Sequence, residues 1–81
     1  MNDIELEIKK IVSRQLDISV DKIENHHSFI KDLGGDSLDT VEMVLSLEDK
    51  FGFEVEEEDA EQMFTVQIVL DYVNKRLQQI T

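Results

Sequence analysis

The chain has 81 residues, 41% of them hydrophobic, and a net charge of −11 at neutral pH. This length predicts one small domain, residues 1–81, with a modest core. The acidic charge argues against nucleic acid as a partner. The lack of cysteine excludes disulfides, thiolate metal sites and a cysteine nucleophile. No apolar run approaches the roughly 20 residues that span a bilayer.

Residues 1–5 are acidic and lack the basic-then-apolar pattern of a secretion signal. We therefore expect a cytoplasmic protein that does not insert into a membrane. A mature organelle protein without its transit peptide would have the same sequence pattern.

The first predicted helix covers residues 3–16, where apolar side chains recur at helical spacing and form one stripe. Asn2 and Glu5 have the spacing of a capping box at its start. Residues 17–36 follow as a long polar connection with interspersed apolar side chains. A structureless loop of this length would be unusual, so we expect the connection to fold onto the core. Its apolar residues are Ile18, Val20, Ile23, Phe29, Ile30 and Leu33.

The second predicted helix covers residues 37–51. Asp36 is a good N-cap, Asp39 follows three residues later, and Gly52 is a natural stop. Gly34 and Gly35 come just before this helix and permit a sharp turn with positive φ. A wide apolar arc covers the helix, with Met43 partly outside it. The arc comprises Leu38, Val41, Val44, Leu45, Leu47 and Phe51.

An acidic stretch at 54–61 predicts a short third helix that ends near Met63, and Thr65 caps a final helix. The core stripe of that last helix comprises Val66, Val69, Leu70, Val73 and Leu77. We therefore predict an all-α fold, a small bundle of three main helices and one short helix with a long first connection.

The negative charge is concentrated in residues 36–61, which contain eleven acidic residues and one basic residue, Lys50. This segment therefore accounts for ten of the eleven net negative charges. Such a concentration predicts a surface that docks basic partners rather than acids scattered over a solvated face.

The segment from Asp32 to Asp39 places the hydroxyl of Ser37 in the first turn of a helix, behind two glycines. The amides of a helix N-terminus suit a phosphate group, whereas Asp36 and Asp39 oppose one electrostatically. From these residues alone, an ordinary helix start is the better interpretation.

The same segment, Asp-Leu-Gly-Gly-Asp-Ser-Leu-Asp, closely resembles the phosphopantetheine attachment motif of acyl carrier proteins, in which the serine follows an aspartate and precedes a leucine. The similarity continues in order through residues 40–44, 47–51, 59–61, 65–66 and 71–73, and so covers nearly the whole chain. The resemblance implies a carrier of growing fatty-acyl chains, held as thioesters on a 4′-phosphopantetheine arm that a transferase moves from coenzyme A to Ser37. It implies no catalytic residue and no specific metal site, and we expect a monomer.

The resemblance also implies two groups of binding residues. Acids would face basic patches on fatty-acid-synthesis enzymes and acyltransferases, and apolar residues would line an acyl pocket while also belonging to the core. The chain departs from many relatives at Glu56, where they have proline, and at Phe64, which is bulkier and could narrow the pocket. The acids are Asp36, Asp39, Glu42, Glu48 and Asp49, and the pocket residues are Leu47, Met63 and Val69.

Three alternatives differ in how well the residues support them. A serine hydrolase is poorly supported, because the sequence around Ser37 lacks the second glycine of the G-x-S-x-G motif. The only candidate bases are His26 and His27. Adjacent histidines in a polar loop are more typical of exposed side chains than of metal ligands. An EF-hand loop starting at Asp32 would have Met43 where the closing glutamate belongs. A carrier of aminoacyl or polyketide cargo, or a structural carrier subunit, remains open because the partners decide the cargo.

Overall fold

A computed structural model describes residues 3–80, apart from the side chain of Ile80. Within this range the chain forms α1 (Asp3–Leu16), a 3₁₀ turn (Val20–Lys22), α2 (Ser37–Phe51), α3 (Glu57–Ala60) and α4 (Val66–Ile80). The prediction of an all-α bundle with three main helices and one short helix is confirmed. Asn2, the predicted cap of the first helix, lies outside the described residues. No helix in the described part is long and apolar enough to cross a membrane.

The predicted bounds of α1 and α2 agree with the structure, whereas α3 is shorter than its acidic stretch predicted. It begins at Glu57 and ends at Ala60, so only one turn forms. The acids Glu54, Glu57, Glu58 and Glu61 are spaced three or four residues apart, and like charges at this spacing oppose a longer helix.

The core lies where α1 meets α2 and α4. All three long helices contribute side chains to it, together with Ile23 and Phe29 of the connection and with Phe53 and Met63, which lie before and after α3. The predicted packing of the connection onto the core is therefore confirmed for Ile23 and Phe29, and Ile18 and Leu33 pack against the core while partly buried. Ile30, by contrast, is exposed. The helical core residues are Ile8, Ile11, Val12, Met43, Val44, Leu47, Val66, Val69, Leu70 and Val73.

The buried face of α2 differs from the apolar arc that its sequence predicts. Leu38, Val41 and Leu45 are 64%, 56% and 58% exposed, whereas Met43 is almost fully buried. The placement of Met43 partly outside the arc was therefore wrong as a guide to burial. An apolar arc wider than one helix–helix contact must leave some members on the surface, and the neighbouring helices decide which.

Backbone hydrogen bonds join the connection to the start of α4. The N–H of Gln67 donates to the carbonyl oxygen of Asn25 (2.8 Å), and the N–H of Val66 donates to that of His27 (3.2 Å). Ser28 and Thr65 form an antiparallel bridge between them. These contacts hold residues 25–29 beside residues 64–67.

A side-chain relay joins α4 to α3 and to the loop before it. The Tyr72 hydroxyl donates to Oδ2 of Asp59 (3.0 Å), and Nη1 of Arg76 donates to the Tyr72 hydroxyl and to the carbonyl oxygen of Glu54, both at 2.8 Å. The guanidinium of Arg76 also lies 4.7 Å from the ring centroid of Phe53. Burial raises the pKa of Tyr72, and the hydrogen bond from Arg76 opposes this shift. The relay thus holds α3 beside α4.

Candidate functional site

Two glycines set the entry of the chain into α2, each for a different reason. Gly34 has φ +76°, a left-handed conformation that favours glycine. At Gly35 a Cβ atom would lie 3.0 Å from Cδ2 of Leu16 and 3.1 Å from the carbonyl oxygen of Phe29. The backbone of Gly35 is this close because its N–H donates to the same oxygen of Phe29 (2.8 Å). The predicted glycine turn is therefore present, with positive φ at Gly34 alone.

A reciprocal capping box fixes the first turn of α2. The N–H of Asp39 donates to Oδ1 of Asp36 (2.9 Å), and the N–H of Asp36 donates to Oδ2 of Asp39 (3.1 Å). The predicted N-cap at Asp36 is confirmed. Ser37 is the first helical residue and is exposed, so its side chain is open to solvent on the capped first turn of α2.

A cavity of about 400 Å³ opens next to Ser37. Residues 28–30 form one wall, Thr40, Val41 and Val44 of α2 form a second, and residues in and after α3 form the third. The lining is largely apolar, with Glu57 and Glu61 as its charged members. Such a cavity is within the usual size range of small-molecule pockets. The third wall comprises Glu57, Ala60, Glu61, Met63 and Phe64.

The structure brings only one of the three predicted acyl-pocket residues into this cavity. Met63 lines it, whereas Leu47 and Val69 are fully buried core residues that do not border it. Their role in acyl binding stays a prediction. Phe64 lines the cavity and remains more than half exposed, so its ring lies at the opening rather than in the interior.

The predicted acidic positions differ in what their carboxylates contact. Nε2 of Gln15 donates to Oδ1 of Asp39 (3.1 Å) and to Oε2 of Glu42 (2.7 Å), so α1 supports two acids of α2. The hydrogen bonds from Gln15 and from the backbone of Asp36 hold the pKa of Asp39 below its usual range. Asp36, Glu42 and Asp49 are exposed.

Glu48 has a local structural contact. Its Oε2 accepts a hydrogen bond from the N–H of Val55 (2.7 Å), which ties α2 to the loop before α3. Glu48 is half-buried there, while Asp36, Glu42 and Asp49 are more open to a partner.

Sequence reasoning missed two features of this site. The contact of Gln15 with two carboxylates of α2 could not be predicted, because a single glutamine on a helix belongs to no recognisable sequence pattern. The exposed side chains of Leu38, Val41 and Leu45 lie among the acids of α2. The excessive width of the apolar arc was the available signal for them.

The arrangement suits a covalently attached phosphodiester with an apolar cargo. The hydroxyl of Ser37 is accessible, and the amides at the start of an α-helix, such as those of Ser37 and Leu38, have no intrahelical acceptor and favour phosphate oxygens. The carboxylates of Asp36 and Asp39 act against the phosphate charge, although each already accepts a backbone hydrogen bond. The largely apolar lining of the adjacent cavity suits the burial of an apolar chain.

A scan of protein-family models matches residues 7–73 to the family described as "Phosphopantetheine attachment site". The match spans all four helices, beginning inside α1 and ending inside α4. It therefore covers the glycine turn, the capping box and the cavity together.

Proposed function

Because the chain belongs to the family of phosphopantetheine carrier domains, we propose that it holds growing fatty-acyl chains as thioesters on an arm attached to Ser37 and delivers them to fatty-acid-synthesis enzymes. This kind of domain is the site of covalent 4′-phosphopantetheine attachment. When bound, the arm supplies the thiol that a chain without cysteine lacks. The main support for Ser37 is its exposed hydroxyl on the capped first turn of α2, at the edge of the cavity.

The cavity is proposed to shelter the acyl chain. Val41, Val44 and Met63 offer apolar surface to it, and each buried methylene gains about 0.8 kcal/mol. Leu47 and Val69 lie in the core and would reach the cargo only if the cavity deepened as the cargo entered. The chain itself acts as a monomeric, non-catalytic carrier in this proposal.

The acids of α2 are proposed to bind basic patches on the phosphopantetheinyl transferase, on acyltransferases and on fatty-acid-synthesis enzymes. Asp36, Asp39, Glu42 and Asp49 would meet the partner, with Glu48 at the edge because it also binds the Val55 amide. Such charges act mainly on association rate and on salt sensitivity.

The attachment site is tested with coenzyme A and a phosphopantetheinyl transferase, followed by intact mass spectrometry. We expect one added phosphopantetheine on the wild-type chain and none on Ser37→Ala. Ser46→Ala, also an exposed serine of α2, is the matched control and should be modified normally. Modification of Ser37→Ala would contradict the assignment.

The cargo is tested separately by intact mass spectrometry of the protein purified from its native source. Fatty-acyl adducts on the arm support the proposed cargo. Aminoacyl or polyketide adducts would replace the fatty-acid part of the proposal and leave the arm on Ser37 intact.

The docking surface is tested by charge reversal on two helices. Glu42→Lys and Asp49→Lys on α2 should slow modification by the transferase several-fold, whereas Asp71→Lys on α4 should have little effect. Raising the ionic strength should shrink the difference, because it screens exposed charges. Equal losses at all three positions, independent of salt, would count against a localised surface.

A further inference from the structure

The connection between α1 and α2 brings three metal-ligating side chains together. One ligand atom from each of Glu24, His26 and His27 lies within 4.8 Å of the others. Nε2 of His27 lies 3.8 Å from Oε2 of Glu24, and the two imidazole ring centroids are 4.7 Å apart. Nothing in the carrier role uses these side chains.

The backbone around this cluster is fixed by neighbouring elements. The carbonyl oxygens of Asn25 and His27 accept hydrogen bonds from the first residues of α4. Nδ2 of Asn25 donates to Oε1 of Glu5 (2.7 Å) and to Oε1 of Gln67 (3.2 Å). A ligand set on a fixed backbone loses less conformational entropy when an ion binds.

The chemistry of the three side chains selects a particular class of ion. Imidazole nitrogens favour zinc and similar transition ions, whereas magnesium and calcium take oxygen ligands. Zinc binds nitrogen and carboxylate oxygen at about 2.0–2.2 Å in a tetrahedron, which places its ligand atoms about 3.4 Å from one another. The separation of 3.8 Å between Nε2 of His27 and Oε2 of Glu24 is already close to this value. Glu24 and His26 are exposed, so no packed core side chain opposes the small movements that coordination needs.

We propose that Glu24, His26 and His27 bind one zinc ion, with water as the fourth ligand. Binding has an identifiable cost, because Nδ1 of His27 accepts a hydrogen bond from the N–H of Glu24 (3.0 Å). Coordination through Nε2 moves the ring proton to Nδ1 and ends that bond. Water replaces it at this exposed amide, so the loss weakens binding by about fivefold.

The binding experiment uses the full chain with Ser37→Ala, so that no arm thiol competes for zinc. Titration against a chromophoric zinc indicator should show one site. His26→Ala and His27→Ala should each weaken it about tenfold or more, since even the loss of an outer-shell partner costs 10–100-fold at metal sites. Glu58→Gln, an exposed acid of α3, is the control and should bind zinc as before.

Two further measurements keep the proposal falsifiable. A hundredfold excess of magnesium should not displace the zinc, and amide resonances of residues 24–28 should shift on zinc addition more than those of residues 57–61. His26 is exposed, so His26→Ala should fold normally even if His27→Ala does not. Circular dichroism checks the folding of both variants. Unchanged zinc affinity in His26→Ala, or displacement by magnesium, would overturn the site and leave the carrier role unaffected.

Discussion

Helices α2 and α4 each have 15 residues, yet they place their apolar side chains very differently. On α4 the stripe of Val66, Val69, Leu70 and Val73 is buried. On α2 the apolar residues divide, with Met43, Val44 and Leu47 in the core and three others on the surface among acids. Exposed apolar side chains that share one helix face are typical of interaction surfaces. The comparison predicts that α4 mainly stabilises the bundle, whereas the exposed face of α2 is available for the binding proposed above.

The largest expected difference between the two helices comes from a matched pair of leucines. Leu70→Ala on α4 should lower the free energy of unfolding by about 2–5 kcal/mol, because it leaves a cavity in the core. Leu38→Ala on α2 should change it by less than about 0.5 kcal/mol while slowing partner enzymes. Urea unfolding and transferase rates measure the two effects, and equal destabilisation would remove the distinction between the helices.

The relay from α4 to α3 gives the next largest effect. Arg76→Gln should lower the free energy of unfolding by about 1–2 kcal/mol. It removes the hydrogen bonds of the guanidinium to Glu54 and Tyr72 and its contact with the face of the Phe53 ring. Amide hydrogen exchange in α3 should become faster. Lys75→Gln, with the same change of charge at an exposed neighbour, is the control. If the amides of α3 exchange at the same rate in both variants, the hydrogen bonds of Arg76 do not hold α3 in place.

A smaller, stabilising effect is expected at the start of α3. Glu56 has φ −61° and ψ 145°, a conformation that proline adopts readily. Glu56→Pro should therefore stabilise the chain by about 0.4–1 kcal/mol by restricting the unfolded state. Thermal melts measure the gain in stability. Glu56→Ala is the control, because it removes the same charge without introducing the proline ring. A lower melting temperature for proline than for alanine would show that the loop needs its present freedom.

The smallest effect concerns the pH dependence of α2. The pKa of Asp39 is held below its usual range mainly by Gln15, so its contribution to stability is present above the unfolded pKa and is lost as the pH falls through the folded one. Gln15→Ala should raise the pKa of Asp39 toward its unfolded value, so the part of the acid destabilisation that comes from Asp39 should become smaller. Carboxyl NMR titration measures this, with Gln79→Ala as the control. An unchanged pKa would contradict the role of Gln15.

Local patterns in the sequence predicted the boundaries of the long helices and the start of the site. The Asp36 cap and the Gly52 stop fixed both ends of α2, because capping depends on residues that are adjacent in the chain. The family resemblance carried by Asp36, Ser37 and Leu38 agrees with the family match over residues 7–73, while Ser37 as the attachment residue stays a prediction. The end of α3 was predicted poorly, since helix-forming composition does not include the repulsion among its acids.

The sequence by itself determined the all-α class, the positions of the long helices, the hydroxyl in the first turn of α2 and the acidic charge beside it. Only the tertiary structure decided which apolar residues of α2 are buried, that Met63 rather than Leu47 or Val69 lines the cavity, and that Gln15 aligns two acids. The physical reason is the range of the interactions. Caps and periodicity act within a few residues, whereas burial and cavities depend on how α1, α4 and the first connection pack against α2.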